Sequence, residues 1–202
     1  MPTSLMIVDD FLDNAHLLRE AALRLTYPEQ EGKFPGRNSV ERIDIEGLAQ
    51  QCSRLVGEPL EAMPPPQSHA KCRITLAGDK GQAKVHVDPA HWSGLLYLSR
   101  PEDCRGGTEF FRHLPTNSDR APYSDAEAAV HGFASAKGMV DEIIARDGTD
   151  DSKWEMTMRV PMRFNRLVLL RPWLWHTAGE NFGDTMENGR LVYLMFFASA
   201  RR

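Results

Sequence analysis

From Lys71 onward the chain is a series of short β-type runs, each cut off by glycine, aspartate or proline, and this pattern excludes most folds. Candidate strands are Cys72–Leu76, Ala83–Val87, Ser93–Leu98, Thr108–Arg112, Trp154–Val160, Arg166–Leu170 and Leu191–Ala198. Many short strands with such punctuation predict a sandwich or barrel. Ahead of them the pattern is helical. Leu5–Val8 reads as a short strand, Asn14–Leu25 as a helix with Leu17, Leu18, Ala21 and Leu25 on one face, and Ile45–Val56 as a second helix. The Pro64-Pro65-Pro66 run ends that part. Between two β runs, Ser124–Arg146 is alanine-rich and reads as a helical insertion. The expectation is one domain of 202 residues, mainly β with flanking helices: a helical part over about 1–66, a β core over about 71–200, and an insertion over about 113–153 that could cover a site as a lid.

Composition narrows the function. A formal net charge of −4 and the lack of any Lys/Arg run argue against nucleic acid as a partner. No apolar stretch approaches the roughly 20 residues that span a bilayer, and the first residues do not read as a signal peptide, so no membrane role is expected. Three widely spaced cysteines, Cys52, Cys72 and Cys104, form neither a disulfide framework nor a CxxC metal site, which predicts a cytoplasmic protein.

The segment Val85-His86-Val87-Asp88-Pro89 carries the chemistry. Side chains two apart on a strand share a face, so His86 and Asp88 project together while Val85 and Val87 turn away. An imidazole beside a carboxylate suits a borderline divalent metal. A third ligand would complete a facial triad with positions left open for a bidentate cosubstrate and O₂. His176, just past the apolar run ending Leu169-Leu170, offers it.

The order of segments resembles the 2-oxoglutarate/Fe(II)-dependent dioxygenases of the prolyl-hydroxylase type. The HxD at His86–Asp88 is followed by Ser93-Gly-Leu-Leu-Tyr-Leu-Ser99 and by Gly106-Gly-Thr-Glu-Phe-Phe111. Asn165–Leu170 then leads to His176, and Gly189-Arg190-Leu191-Val192-Tyr193-Leu194 follows. The resemblance implies a double-stranded β-helix (jelly-roll, cupin-like) core. It implies Fe(II) on His86, Asp88 and His176, with zinc or nickel able to occupy the same atoms. It also implies 2-oxoglutarate as cosubstrate, its distal carboxylate held by Arg190 and hydrogen-bonded by Tyr97. Arginine suits that carboxylate because its fork pairs two oxygens at once. Arg190 follows His176 by fourteen residues, more than in the resembled pattern, and a longer hairpin turn would absorb the difference. Arg166 and Arg171 are the weaker substitutes.

The implied reaction is hydroxylation of a small molecule or an amino-acid or peptide side chain, with release of succinate and CO₂. Asp88, the carboxylate that related halogenases lack, favours that outcome. A cupin-type oxygenase without 2-oxoglutarate and a non-catalytic metal-binding sensor on the same scaffold are the alternatives. Around the site, His91 is either a substrate or metal-ligand partner or a loop histidine. Trp92, Trp173 and Trp175 form either an aromatic substrate wall or core. Arg37 either reaches an anionic substrate group or is held in the Phe34-Pro35-Gly36 turn. His113 and His131 have no evident partner, and His16 and His69 read as solvated.

Overall fold

The computed structural model describes residues 3–29, 32 and 34–200. Its elements in chain order are β1 (Leu5–Val8), α1 (Ala15–Leu23), β2 (Arg37–Asn38), α2 (Leu48–Val56), β3 (Leu60–Ala62), β4 (Cys72–Thr75), β5 (Trp92–Tyr97) and β6 (Gly107–His113), then α3 (Asp125–Val130), α4 (Ala136–Asp147), β7 (Trp154–Pro161), β8 (Leu167–Leu170), β9 (His176–Thr177) and β10 (Arg190–Ser199). Two antiparallel sheets form. The major one runs β1-β8-β5-β10-β4-β2, with β3 on the far end of β10, and the minor one runs β7-β6-β9. This is the expected double-stranded β-helix arrangement with flanking helices.

Strand β10 shows why the core forms here. It is almost continuously apolar because both of its faces are covered. Leu191, Tyr193, Met195 and Phe197 point outward into the cluster formed with Leu18 and Ala22 of α1 and Leu48, Cys52 and Val56 of α2. Arg190, Val192, Leu194 and Phe196 alternate to the other side and line the space between the sheets.

Helix α2 starts three residues later than expected from Ile45, because Gly47 sits at φ 72°, outside the helical region. Gly57, at φ 71°, ends it. The insertion is two helices rather than one. Ser124 caps α3 and Ser135 caps α4, each accepting a backbone N–H, and Gly132 at φ 82° breaks the run between them. Met139 and Ile143 of α4 pack with Phe111, Trp154 and Trp175 on the outer face of the minor sheet. The insertion is therefore no lid: of its described residues, only Thr149 reaches the inter-sheet space.

His113, for which the sequence offered no partner, ties this insertion to β6. It is fully buried, and its Nε2–H donates to Asp147 Oδ2 (2.9 Å) while Nδ1 accepts from Thr116 (2.9 Å). Arg146 donates twice to the same carboxylate, at 2.8 and 3.0 Å. Arg146 above all, with His113, holds the Asp147 carboxyl down at about 2 against the ordinary 3.8, overcoming the opposing effect of burial. A depressed carboxyl stabilises the folded state above the unfolded value and loses that contribution as pH falls through the folded one. Asp147→Asn is expected to lower stability at neutral pH by about 2 kcal/mol. In urea unfolding across pH, its difference from the wild type should vanish between about pH 4 and pH 2; a constant difference would show that the charge is not the cause.

Candidate functional site

The HxD segment is not the strand its pattern suggested. Over 83–87 only His86 makes a β-bridge, exchanging two backbone hydrogen bonds with His176 (3.0 and 3.1 Å). Val85 N–H donates to Gly148 and Asp88 N–H to Pro172, so three different segments suspend a stretch with no continuous ladder. The extended spacing nonetheless turns His86 and Asp88 the same way. Val85 and Val87 go to the cluster under the insertion.

His86, Asp88 and His176 each present one donor atom, and the three donors lie within 4.8 Å of one another. The Asp88 carboxylate is 3.6 Å from His86 Nε2 and 3.4 Å from His176 Nε2. Both imidazoles are held alike. His86 Nδ1 meets the Lys84 carbonyl at 2.9 Å and His176 Nδ1 meets the Leu174 carbonyl at 2.7 Å. A carbonyl can only accept, so each Nδ1 carries a hydrogen and each Nε2 is the nitrogen left facing the cluster, the atom that would bind a metal in place of its own proton. Ser93 Oγ donates to Asp88 Oδ2 (2.7 Å) and fixes the carboxylate. Burial pushes the Asp88 carboxyl up, but His176, then His86 and Ser93, hold it well below the ordinary carboxylate range. His176 is the converse: burial pushes it down and Asp88 more than offsets this. Phe34 lies against His86, ring centres 4.3 Å apart.

The cluster opens on a cavity of about 610 Å³ between the sheets. Arg190, the first residue of β10, lines it. It is 1% exposed, and its Nε and Nη2 have no hydrogen-bond partner among the described residues. A buried guanidinium with unused donors fits a carboxylate placed in that cavity. The other two arginines are committed elsewhere: Arg166 to Asp9 (2.5 and 2.9 Å) and Arg171 to Glu58. The longer link before Arg190 is no hairpin, since β9 and β10 belong to different sheets. Its extra residues close a surface turn in which Asn188 Oδ1 accepts from the N–H groups of Asp184 and Thr185, both at 2.9 Å.

Several expected contacts are absent. Tyr97 shares the cavity-side face of the sheet but does not reach the cavity. Its hydroxyl accepts the Thr108 N–H (2.9 Å) and meets Thr108 Oγ1 at 2.6 Å, so Thr108 is the polar group presented in its place. Trp92 and Trp175 are fully buried in the core clusters on the far sides of the two sheets. Trp173 packs against the same cluster as Trp175. His91 hydrogen-bonds Glu58 (2.7 Å) beside Arg171, away from the cavity. Arg37 pairs across the strands with Ile74, whose side chain faces the helices, and is likewise no lining residue. His69 is not solvated: its Nδ1 lies 2.8 Å from the Phe196 carbonyl and its ring meets Phe197 edge-on. His16 and His131 are exposed. Lining residues the sequence did not single out include Asn38, Ser68, Arg73, Thr75, Thr108 and Asn181.

A model of a family of unknown function, DUF6445, matches residues 2–197. The chain belongs to that family. No curated protein matches it. Among solved structures, this DUF6445 member is similar to HygX from Streptomyces hygroscopicus, determined with nickel, 2-oxoglutarate and hygromycin B. The TM-score is 0.59 at 12% identity, over 98% of this chain and 84% of HygX. It is also similar to SnoK, a non-haem α-ketoglutarate-dependent carbocyclase from nogalamycin biosynthesis, with TM-score 0.53 at 15% identity over 99% of this chain and 87% of SnoK. At these identities the likeness establishes the shared fold.

Proposed function

We propose that this chain is a 2-oxoglutarate- and Fe(II)-dependent oxygenase that hydroxylates a small molecule or an amino-acid side chain. One observation carries the reading: three donors with the facial-triad composition converge at a cavity that also holds a buried guanidinium with free donors. His86 Nε2, the Asp88 carboxylate and His176 Nε2 would hold the metal, and Arg190 the distal carboxylate of the cosubstrate. When bound, the metal and 2-oxoglutarate supply the oxidation, in which O₂ is consumed and succinate and CO₂ are released. The protein's own contribution is placement. The Lys84 and Leu174 carbonyls fix both imidazole tautomers, Ser93 orients Asp88, and the apolar wall of Leu95, Val192 and Leu194 keeps water from the reacting groups. The bound ligands of HygX support this assignment.

The test is an anaerobic titration of metal-free protein with Fe(II) and then 2-oxoglutarate. The weak visible metal-to-ligand charge-transfer band of the chelate is expected in the wild type and absent in His176→Ala. Metal binding with no band would move the reading to a cupin-type oxygenase or a sensor. Failure to bind metal would overturn it.

A further inference from the structure

A second cation in the same cavity has no counter-ion among the described residues. Arg73 on β4 pairs across the strands with Val192, and Arg190 on β10 pairs with Thr75, so both arginines project from one face of the major sheet. Arg73 donates to uncharged acceptors only: Nε to the Pro35 carbonyl (2.9 Å), Nη2 to the Phe34 carbonyl (2.8 Å) and Nη1 to Asn38 Oδ1 (2.7 Å). Among the described residues no carboxylate forms an ion pair with it. Burial and then the like charge of Arg190 bring its pKa down to about 10, with Asp79 opposing weakly. Lys84, the other basic residue on the wall, is already paired with Asp151 at 2.5 Å.

Charge balance gives the surplus a sign and a size. Asp88 is the sole carboxylate among the described lining residues. With a divalent metal and the 2-oxoglutarate dianion in place, Asp88 and the dianion offset the metal and Arg190. The charge left over belongs to Arg73. Around it the wall is rich in donors. Among the described residues one Nη1 hydrogen of Arg73 has no acceptor, and Asn38, whose amide also donates to Ser68 Oγ (3.1 Å), retains another; the Ser68 hydroxyl and the Gln67 amide stand alongside.

We propose that the oxygenase substrate carries a carboxylate, and that Arg73 with Asn38 and Ser68 is the subsite that reads it. The inference rests on the oxygenase reading above, since the charge surplus assumes metal and 2-oxoglutarate. A carboxylate suits the few donors available. A phosphate, with more charge and more acceptors, is commonly met by a helix N-terminus, and no helical residue lines this cavity among the described residues. Leu95, Leu194 and Phe196 line the same cavity and accommodate an aliphatic or aromatic body.

The experiment is calorimetric titration of the nickel-loaded, 2-oxoglutarate-saturated chain with butanoate, hexanoate and octanoate and with the matching amides. At least one acid is expected to bind about tenfold or more tightly than its amide, the difference a charge-assisted hydrogen bond supplies. Arg73→Gln should reduce the acid to the level of the amide while 2-oxoglutarate still binds, and that retained binding reports an intact fold. Arg73→Lys, which keeps the charge, should preserve part of the preference. Equal affinities of acid and amide, no binding anywhere in the series, or an unchanged preference in Arg73→Gln would overturn the inference, as would tighter binding of hexyl phosphate than of hexanoate. If the wild type fails to bind nickel or 2-oxoglutarate, the oxygenase reading itself falls, and this inference with it.

Discussion

Arg190→Met is expected to weaken 2-oxoglutarate binding by about a hundredfold and, in the same protein without cosubstrate, to increase stability. The two effects have one cause. The Arg190 guanidinium is 1% exposed, its Nε and Nη2 have no partner among the described residues, and the Tyr97 ring centroid lies 5.9 Å from Cζ. Desolvation pushes its pKa down, and Tyr97 and Glu109 only partly offset this. An uncompensated buried charge costs free energy until an anion arrives, and that cost becomes selectivity for a carboxylate. Methionine fills similar space without charge, so the unliganded variant should gain about 2 kcal/mol. In the bound state the lost bidentate charge-assisted pair should outweigh the relieved desolvation by about 1 kcal/mol; together with the free-state gain this weakens binding by about 3 kcal/mol, which is the hundredfold. Isothermal titration and urea unfolding measure the two arms. A variant that loses stability in both states would show Arg190 to be an ordinary core residue, and one that keeps its affinity would move the anchor elsewhere.

Strand parity decided much of what the sequence could disclose. The two-residue spacing of His86 and Asp88 survives even though their segment is suspended rather than paired in a ladder, because the spacing depends only on an extended backbone. The same parity excludes Trp92 and Trp175 from the cavity. Each precedes by one residue a side chain that faces it, Ser93 and His176, and so each must point into the core. Adjacency in sequence to a ligand is evidence against adjacency in space when the chain is extended.

Arg37 and Arg73 show the limit of that reasoning. Their faces depend on the β2–β4 register, Arg37 opposite Ile74 and Asn38 opposite Arg73. A two-residue strand carries too little pattern to set its own register. Tyr97 was misplaced for another reason. Its face is right, but a hydroxyl on the opposite sheet occupies it, and Thr108 comes into reach only once the two sheets have packed. The Glu58–His91–Arg171 and His113–Asp147 contacts span 33 to 113 residues and leave no local signal.

Gly107→Ala is expected to cost about 3 kcal/mol or more and to abolish metal binding in whatever protein remains folded. Gly107 opens β6 at φ 144°, and a Cβ there would stand 1.9 Å from the Val160 carbonyl oxygen of the partner strand β7 and 2.8 Å from the Met162 nitrogen. Backbone cannot yield as a flexible side chain can, so β6 and β7 must separate at their first pair, Gly107 with Pro161. The damage would not stay at the edge. The Gly107 carbonyl would itself lie 2.1 Å from a Cβ on Gly179, so the β9–β10 connection is packed against the same point. Phe110, three residues along β6, pairs with His176, whose backbone in turn pairs with His86. Displacing β6 therefore moves the two imidazoles relative to each other. Gly57→Ala is the control: it also places alanine at positive φ, 71°, but its Cβ meets nothing within 4 Å, so only the intrinsic left-handed penalty of about 1 kcal/mol applies. Thermal unfolding and metal titration of the pair separate backbone strain from collision. If both variants lose the same stability and both keep the metal, the close approach of β6 to β7 at Gly107 does not position His176.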